Sequence, residues 1–152
     1  MIIQRMGWLS RASALGLVAG LAVGLQPSET FATKDQARRA ALATAISLEA
    51  VGFRFRDQFN MGLLRRGQIA KVRLTLSAGT DYALVAAGCG DAYDVDVHLF
   101  DENGNLIDRD RDAAPIAVVQ VTPKWTGTFY ALVTMYDSTY NGAHYTLVTG
   151  YR

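Results

Sequence analysis

DVDVHLFDENGN, residues 94 to 105, decides how the rest of the chain is read. Alternation places Val95, Val97 and Leu99 on one face of a strand and Asp94, Asp96, His98 and Phe100 on the other. Asn103-Gly104 then signals a hairpin turn. Register decides what opposes each face, because a slip of one residue turns every side chain over. A two-residue loop of Asn103 and Gly104 sets Leu99 against Asp108 and Val97 against Asp110. That places carboxylates on the apolar face at a desolvation cost. A three-residue loop, Glu102-Asn103-Gly104 with Gly104 left-handed, sets Leu99 against Ile107 and Phe100 against Leu106. Burial favours the second register.

In that register His98 faces Asp108 and Asp96 faces Asp110 on the outer surface, while Arg109 and Arg111 point to the other side. Like charges directly opposite one another are destabilising unless something compensates them. Asp94, Asp96, Asp108 and Asp110 therefore make a candidate calcium site, since calcium takes several carboxylate or carbonyl oxygens. The alternative is a second strand that stops near Asp108 and leaves DRDRD as a solvated loop. DENGNLIDRDRD mimics an EF-hand loop, but Leu106 stands where its glycine is needed and the closing glutamate is missing. The EF-hand is rejected.

Working outward, the same period of two recurs on both sides. IAKVRLTL (69–76) puts Ala70, Val72, Leu74 and Leu76 on one face. YALVAAG (82–88) is apolar almost throughout. APIAVVQVTP (114–123) stops at a proline. TFYALVTMY (128–136) alternates Phe129, Ala131, Val133 and Met135, and AHYTLVTGY (143–151) follows a polar turn. About seven or eight short strands with turns between them predict an all-β antiparallel sandwich. The absence of helices between strands argues against a parallel α/β sheet.

Ahead of the strands, TKDQARRAALATAISLEA (33–50) carries Ala37, Ala41, Ala45 and Leu48 at helical spacing, extended by Leu42 and Ile46. Thr33 suits the N-cap and Gly52 the end. The first 32 residues read as a secretory signal: Arg5 and Arg11, then the apolar run Ala14 to Leu25, then small residues before Thr33. An uncleaved anchor is the alternative, although the run is short for a span. The expected organisation is a signal over 1–32, a helical segment over 33–60 and a β-sandwich over 61–152.

From Thr33 to Arg73 there are nine Lys or Arg against three Asp or Glu; from Leu74 to Arg152 there are four against ten. Such asymmetry fits either a polyanion-binding arm or a basic segment folded on an acidic one. No aromatic stacking motif interleaves the arginines, so nucleic acid is not expected as a partner. Cys89 has no partner in the chain and reads as a buried thiol rather than a nucleophile.

Three stretches together resemble the bacterial pre-peptidase C-terminal (PPC) domain family: GQIAKVRLTLSAGTDYALVA (67–86), DVDVHLFDENGNLI (94–107), and TGTFYALV (126–133) followed by Tyr145 to Leu147. The resemblance spans roughly residues 62–150. It implies a jelly-roll-like β-sandwich on an exported protein, acting as a noncatalytic module, and it matches Asp94 and Asp96 to the family's D-x-D positions. Calcium binding in some related collagen-binding modules adds to the calcium expectation. No protease domain precedes the module here; a short helix takes that place.

The expected function is an exported, noncatalytic β-sandwich module for binding or structural support, periplasmic or extracellular, with calcium as its one candidate cofactor. No G-x-S-x-G, H-E-x-x-H or C-x-x-C motif is present, and no catalytic residue is assigned. Trp125, Tyr136 and Tyr140, together with Tyr130, are the candidate ligand-binding aromatics, for a protein or polysaccharide of the cell envelope or beyond. Two alternatives stand beside it. One is an envelope interaction protein that touches an anionic membrane surface or a partner through residues 33–56. The other is a small hydrolase built on His98 and Asp108 with a serine or cysteine.

Overall fold

The structure, a computed structural model, describes residues 32–152. The expected export signal lies outside them apart from Ala32. One helix, α1 (Lys34–Glu49), precedes eight strands: β1 (Arg54–Leu64), β2 (Ile69–Leu76), β3 (Tyr82–Gly88), β4 (Ala92–Asp101), β5 (Leu106–Asp110), β6 (Ile116–Val121), β7 (Gly127–Ser138) and β8 (Ala143–Tyr151). The strands form two four-stranded antiparallel sheets, β1-β8-β3-β6 and β2-β7-β4-β5. That strand order is a jelly roll, in which eight strands wind through two facing sheets. The expected fold class is the observed one.

The expected helical segment of 33–60 is too long. Thr33 does cap α1, its hydroxyl accepting the Gln36 N–H at 3.3 Å, but the helix ends at Glu49 and Gly52 turns the chain at φ +98°. Residues from Arg54 onward belong to β1, which pairs with β8 as an edge strand. Phe55 and Phe59 are half-buried and pack under the helix. Charged neighbours on this edge strand hid its period of two in the sequence, so the boundary at 61 cuts through the sandwich.

The inner faces of the two sheets build the main core. Val95, Val97 and Leu99 of β4 and Phe129, Val133 and Met135 of β7 lie in one cluster with Leu84, Val119 and Leu147 of the other sheet. A second, smaller core lies behind the first sheet, where Ala41 of α1 meets Val85, Ala87 and Val148. β3 is consequently buried at every position. Its even-numbered side chains from Tyr82 to Ala86 serve the sandwich, and Val85 and Ala87 serve the helix interface. This double burial is why YALVAAG lacks polar alternation.

Alanines at Ala37, Ala41 and Ala45 are what let so short a helix settle on a sheet. They bury little area each but permit close backbone approach, and the helix depends on that packing rather than on its own propensity. Replacing Ala41, which is 0 % exposed, by leucine should overfill the interface and cost about 1–3 kcal/mol. Urea unfolding measures this directly. An unchanged midpoint would show that α1 is not seated on β3 and β8.

Candidate binding face on the open sheet

Each sheet has an outer face, and the two are treated differently. α1 covers that of β1-β8-β3-β6, and among the described residues no element covers that of β2-β7-β4-β5. Strand register lays out this open face in rows. Lys71, Leu132, His98 and Arg109 stand side by side across the sheet, and Arg73, Tyr130, Phe100 and Leu106 form the next row. Between the rows lies a depression of about 340 Å³, floored by Phe100, Tyr130 and Leu132, with Lys71 on one side and the β4–β5 hairpin at Glu102 and Gly104 on the other. The Lys71 ammonium sits 4.0 Å from the centre of the Tyr130 ring, and His98 stacks on Phe100 at 6.4 Å. The cation-π contact holds the lysine stem along the face while leaving the ammonium exposed.

The hairpin wall is built by Asp101. Its carboxylate, buried at the strand end, accepts the backbone N–H of Asn103 at 2.9 Å and of Asn105 at 2.8 Å, and the Asn105 side-chain amide at 2.9 Å. Gly104 supplies the left-handed residue the turn requires, at φ +81°. The Asn105 side chain, with the backbone N–H groups of Asn105, Asn103 and Gly104, holds the Asp101 carboxyl below the ordinary carboxylate range against the opposing effect of burial. The turn thus locks Phe100 at the floor of the depression.

Beyond the turn the expected register fails. Phe100 pairs with Leu106 as the three-residue loop requires, but Leu99 then pairs with Asp108, His98 with Arg109, and Val97 with Asp110. One extra residue, Ile107, is bulged out of the ladder between these pairs and packs against the core. The far half of the hairpin therefore takes the register that burial had argued against. It is tolerated because β5 is an edge strand. Asp108 remains exposed there, and Asp110 accepts the Val118 N–H at 2.8 Å and the Asp112 N–H at 3.0 Å. Inward-directed charge on an edge also blocks pairing with another chain.

The expected pairs His98–Asp108 and Asp96–Asp110 are therefore not formed. The bulge turns Arg109 to the open face beside His98 and takes Asp108 and Asp110 to the other face. Asp94 and Asp96 stay behind on the outer side of β4, and Asp96 is 5 % exposed. Burial pushes the Asp96 carboxyl up, the Asp94 charge and more weakly that of Asp110 add to it, and His98 and Arg111 pull the other way. Arg111 offsets part of the like-charge conflict, and Asp94 keeps one buried carboxylate oxygen without a hydrogen-bond partner. Asp94, Asp96, Asp108 and Asp110 do not converge, and among the described residues no three His, Cys, Asp or Glu side chains are placed to hold a metal ion.

The candidate aromatics separate as well. Trp125 donates its indole N–H to Glu102 at 3.2 Å and stacks on Phe129 at 5.5 Å, so it braces the hairpin wall from behind. Tyr136 lies near the opposite end of β7, and Tyr140, 98 % exposed, stands in the β7–β8 loop. At about 3.3 Å per residue the strand between them keeps Trp125 far from both tyrosines. They are not one site. Cys89 is buried, its N–H donating to the His144 carbonyl at 2.9 Å and its sulfur accepting the His144 N–H at 3.2 Å. Of the candidate aromatics Tyr130 alone lines the depression, and the residues missed in sequence are Lys71, Phe100 and Leu132. Their signal was the large apolar groups on both faces of TFYALVTMY, where a solvated sheet calls for one.

No protein-family model matches the chain, and no curated protein matches it. Among solved structures, the chain is similar to PliG of Aeromonas hydrophila, a periplasmic lysozyme inhibitor of g-type lysozyme. Identity is 14 %, the TM-score is 0.48, and the match covers 62 % of this chain and 85 % of that one.

Two measurements follow from this geometry. The raised Asp96 carboxyl binds its proton more readily in the folded chain, so its contribution improves as pH falls through its folded value. The lowered Asp101 carboxyl contributes fully above the unfolded value and loses that contribution as pH falls through its folded one. Asp96→Asn should therefore raise Tm at neutral pH and Asp101→Asn should lower it by several degrees, both differences shrinking in acid. Shifts of the same sign would contradict the assignment. In addition, chelation followed by calcium titration should leave Tm unchanged, whereas a saturable rise would mean that the folded state binds the ion.

Proposed function

We propose that this chain is an exported, noncatalytic β-sandwich module that binds a macromolecular partner of the cell envelope or its surroundings through the outer face of the β2-β7-β4-β5 sheet. The observation that carries this is the asymmetry of the sandwich: one outer face is closed by α1, and the other keeps Phe100, Tyr130, Leu132 and Ile69 at or near the surface. An aromatic centre with a charged rim is the composition of interface patches rather than of an ordinary wet sheet. The export half of the proposal rests on the N-terminal sequence, and no helix among the described residues is long and apolar enough to cross a membrane. The jelly roll also supports placing the chain beside the PPC domains as a stand-alone relative.

The basic-arm alternative is less well supported. The alanine stripe of α1 is spent on β3 and β8, and Arg38 lies over the Phe59 ring at 4.5 Å, which leaves Ile46 as the one large apolar side chain exposed on the helix. The hydrolase alternative loses its pair, since His98 stands opposite Arg109.

The test compares the purified protein with Phe100→Ser and Tyr130→Ser variants, and with an Arg39→Ser variant on the helix, for retention of envelope material from the producing cells. Retention should fall about tenfold in the sheet variants, as for truncation of central aromatic anchors, and stay unchanged in the helix variant. Equal retention by all of them would remove the open face as the binding surface.

A further inference from the structure

Resting on that reading of the open face, we infer that its partner is an acidic protein segment, one that sets an apolar or aromatic side chain into the depression between flanking carboxylates. Lys71, Arg73 and Arg109 bracket the aromatic centre. None of them belongs to the ion pairs among the described residues, which join Arg38 to Asp57, Arg66 to Asp137 and Arg152 to Asp81. The Arg73 guanidinium reaches only the Thr128 hydroxyl, at 3.4 Å. Lysine and arginine donate and never accept, so the rim calls for a partner rich in acceptors and in negative charge.

Of the carboxylates at the depression only Glu102 is exposed. Asp101 is saturated by its own turn, Glu102 holds the Trp125 indole, and Asp96 is buried. The bulge at Ile107 sharpens the polarity, because it replaces two outward aspartates by an outward arginine on the same strand. With Lys71, Arg73 and Arg109 set against the exposed carboxylate of Glu102, the surroundings of the apolar centre are predominantly cationic, and such an excess selects a partner by complementarity and disfavours basic ones.

A protein fits better than an acidic polysaccharide. The rows include the aliphatic side chains Leu132 and Leu106, and Ile69 stands in the row beyond Lys71; the last two are at least 44 % exposed. A hydroxyl-rich sugar chain laid across them would lose water from its hydroxyls without gaining partners. A depression of about 340 Å³ instead admits a single large side chain as an anchor, the usual centre of a protein interface.

The experiment titrates the purified protein into fluorescent peptides of equal length and follows anisotropy at low and high salt. The probes are a glutamate-rich peptide with one central tryptophan, its glutamine counterpart, its counterpart with alanine for tryptophan, its lysine counterpart, and a labelled oligogalacturonate. The acidic tryptophan peptide should bind at least about tenfold more tightly than each of the others, and more weakly as salt rises. Arg73→Glu with Arg109→Glu should abolish binding, and Lys71→Gln with Arg73→Gln should weaken it, each with its circular dichroism unchanged. Lys34→Glu with Arg39→Glu on α1 should leave it intact. If neutral and acidic tryptophan peptides bind alike and Phe100→Ser abolishes both, the face binds but acidic chemistry is overturned. If the oligogalacturonate alone binds, the protein partner is overturned. Binding indifferent to all sheet variants, or no binding by any probe, overturns the inference; indifference to the sheet variants removes the face as well.

Discussion

A sandwich has two outer faces, and the described residues include one short helix to cover them. That shortage organises the molecule. β3 sits at the interior of its sheet between β8 and β6, with the sandwich core on one side and α1 on the other, and is buried along its whole length. Because its outward side chains are Val85 and Ala87, this sheet cannot face water, and the helix must lie on it. The alanine stripe of α1 answers that need with a shallow surface matched to small residues on β3 and β8. The helix belongs to the sandwich; a detachable arm would leave that sheet bare.

The opposite sheet is left open, and its chemistry is set by one residue. Ile107 is too apolar to remain in solvent at the end of a tight turn, so it is tucked against the core as a bulge. Every side chain beyond it then changes face. Carboxylates that would have crowded the outer surface go to the sheet edge, where one of them caps an N–H of the neighbouring sheet, and arginine takes their place. Asp101 makes this possible by fixing the turn itself, so the same twelve residues shape both the hairpin and the wall of the depression.

The fold was legible in the sequence because its grammar is local. Period-two runs, Asn103-Gly104 and the signal-like N-terminus needed no tertiary information. β1 was missed because an edge strand keeps charged side chains on its free side and so resembles a linker. The candidate site was only partly legible. Phe100 and His98 stood in the opening strand, but their companions Lys71, Tyr130 and Leu132 come from β2 and β7, distant in sequence and joined only by register. The aspartate cluster misled for a physical reason: alternation was carried through a bulge, and a bulge inverts alternation. The aromatics Tyr136 and Tyr140 drew attention by composition, though strand length sets them at the far end of β7 from Trp125.

The face-inverting bulge carries the account, and it can be observed in solution without knowing any ligand. Cross-strand nuclear Overhauser contacts between β4 and β5 report which backbone positions oppose one another. Phe100 should lie opposite Leu106, then His98 opposite Arg109 and Val97 opposite Asp110. Contacts from His98 to Asp108 and from Asp96 to Asp110 would show a regular hairpin. The open face would then carry carboxylates in place of arginine, and its cationic character would be contradicted.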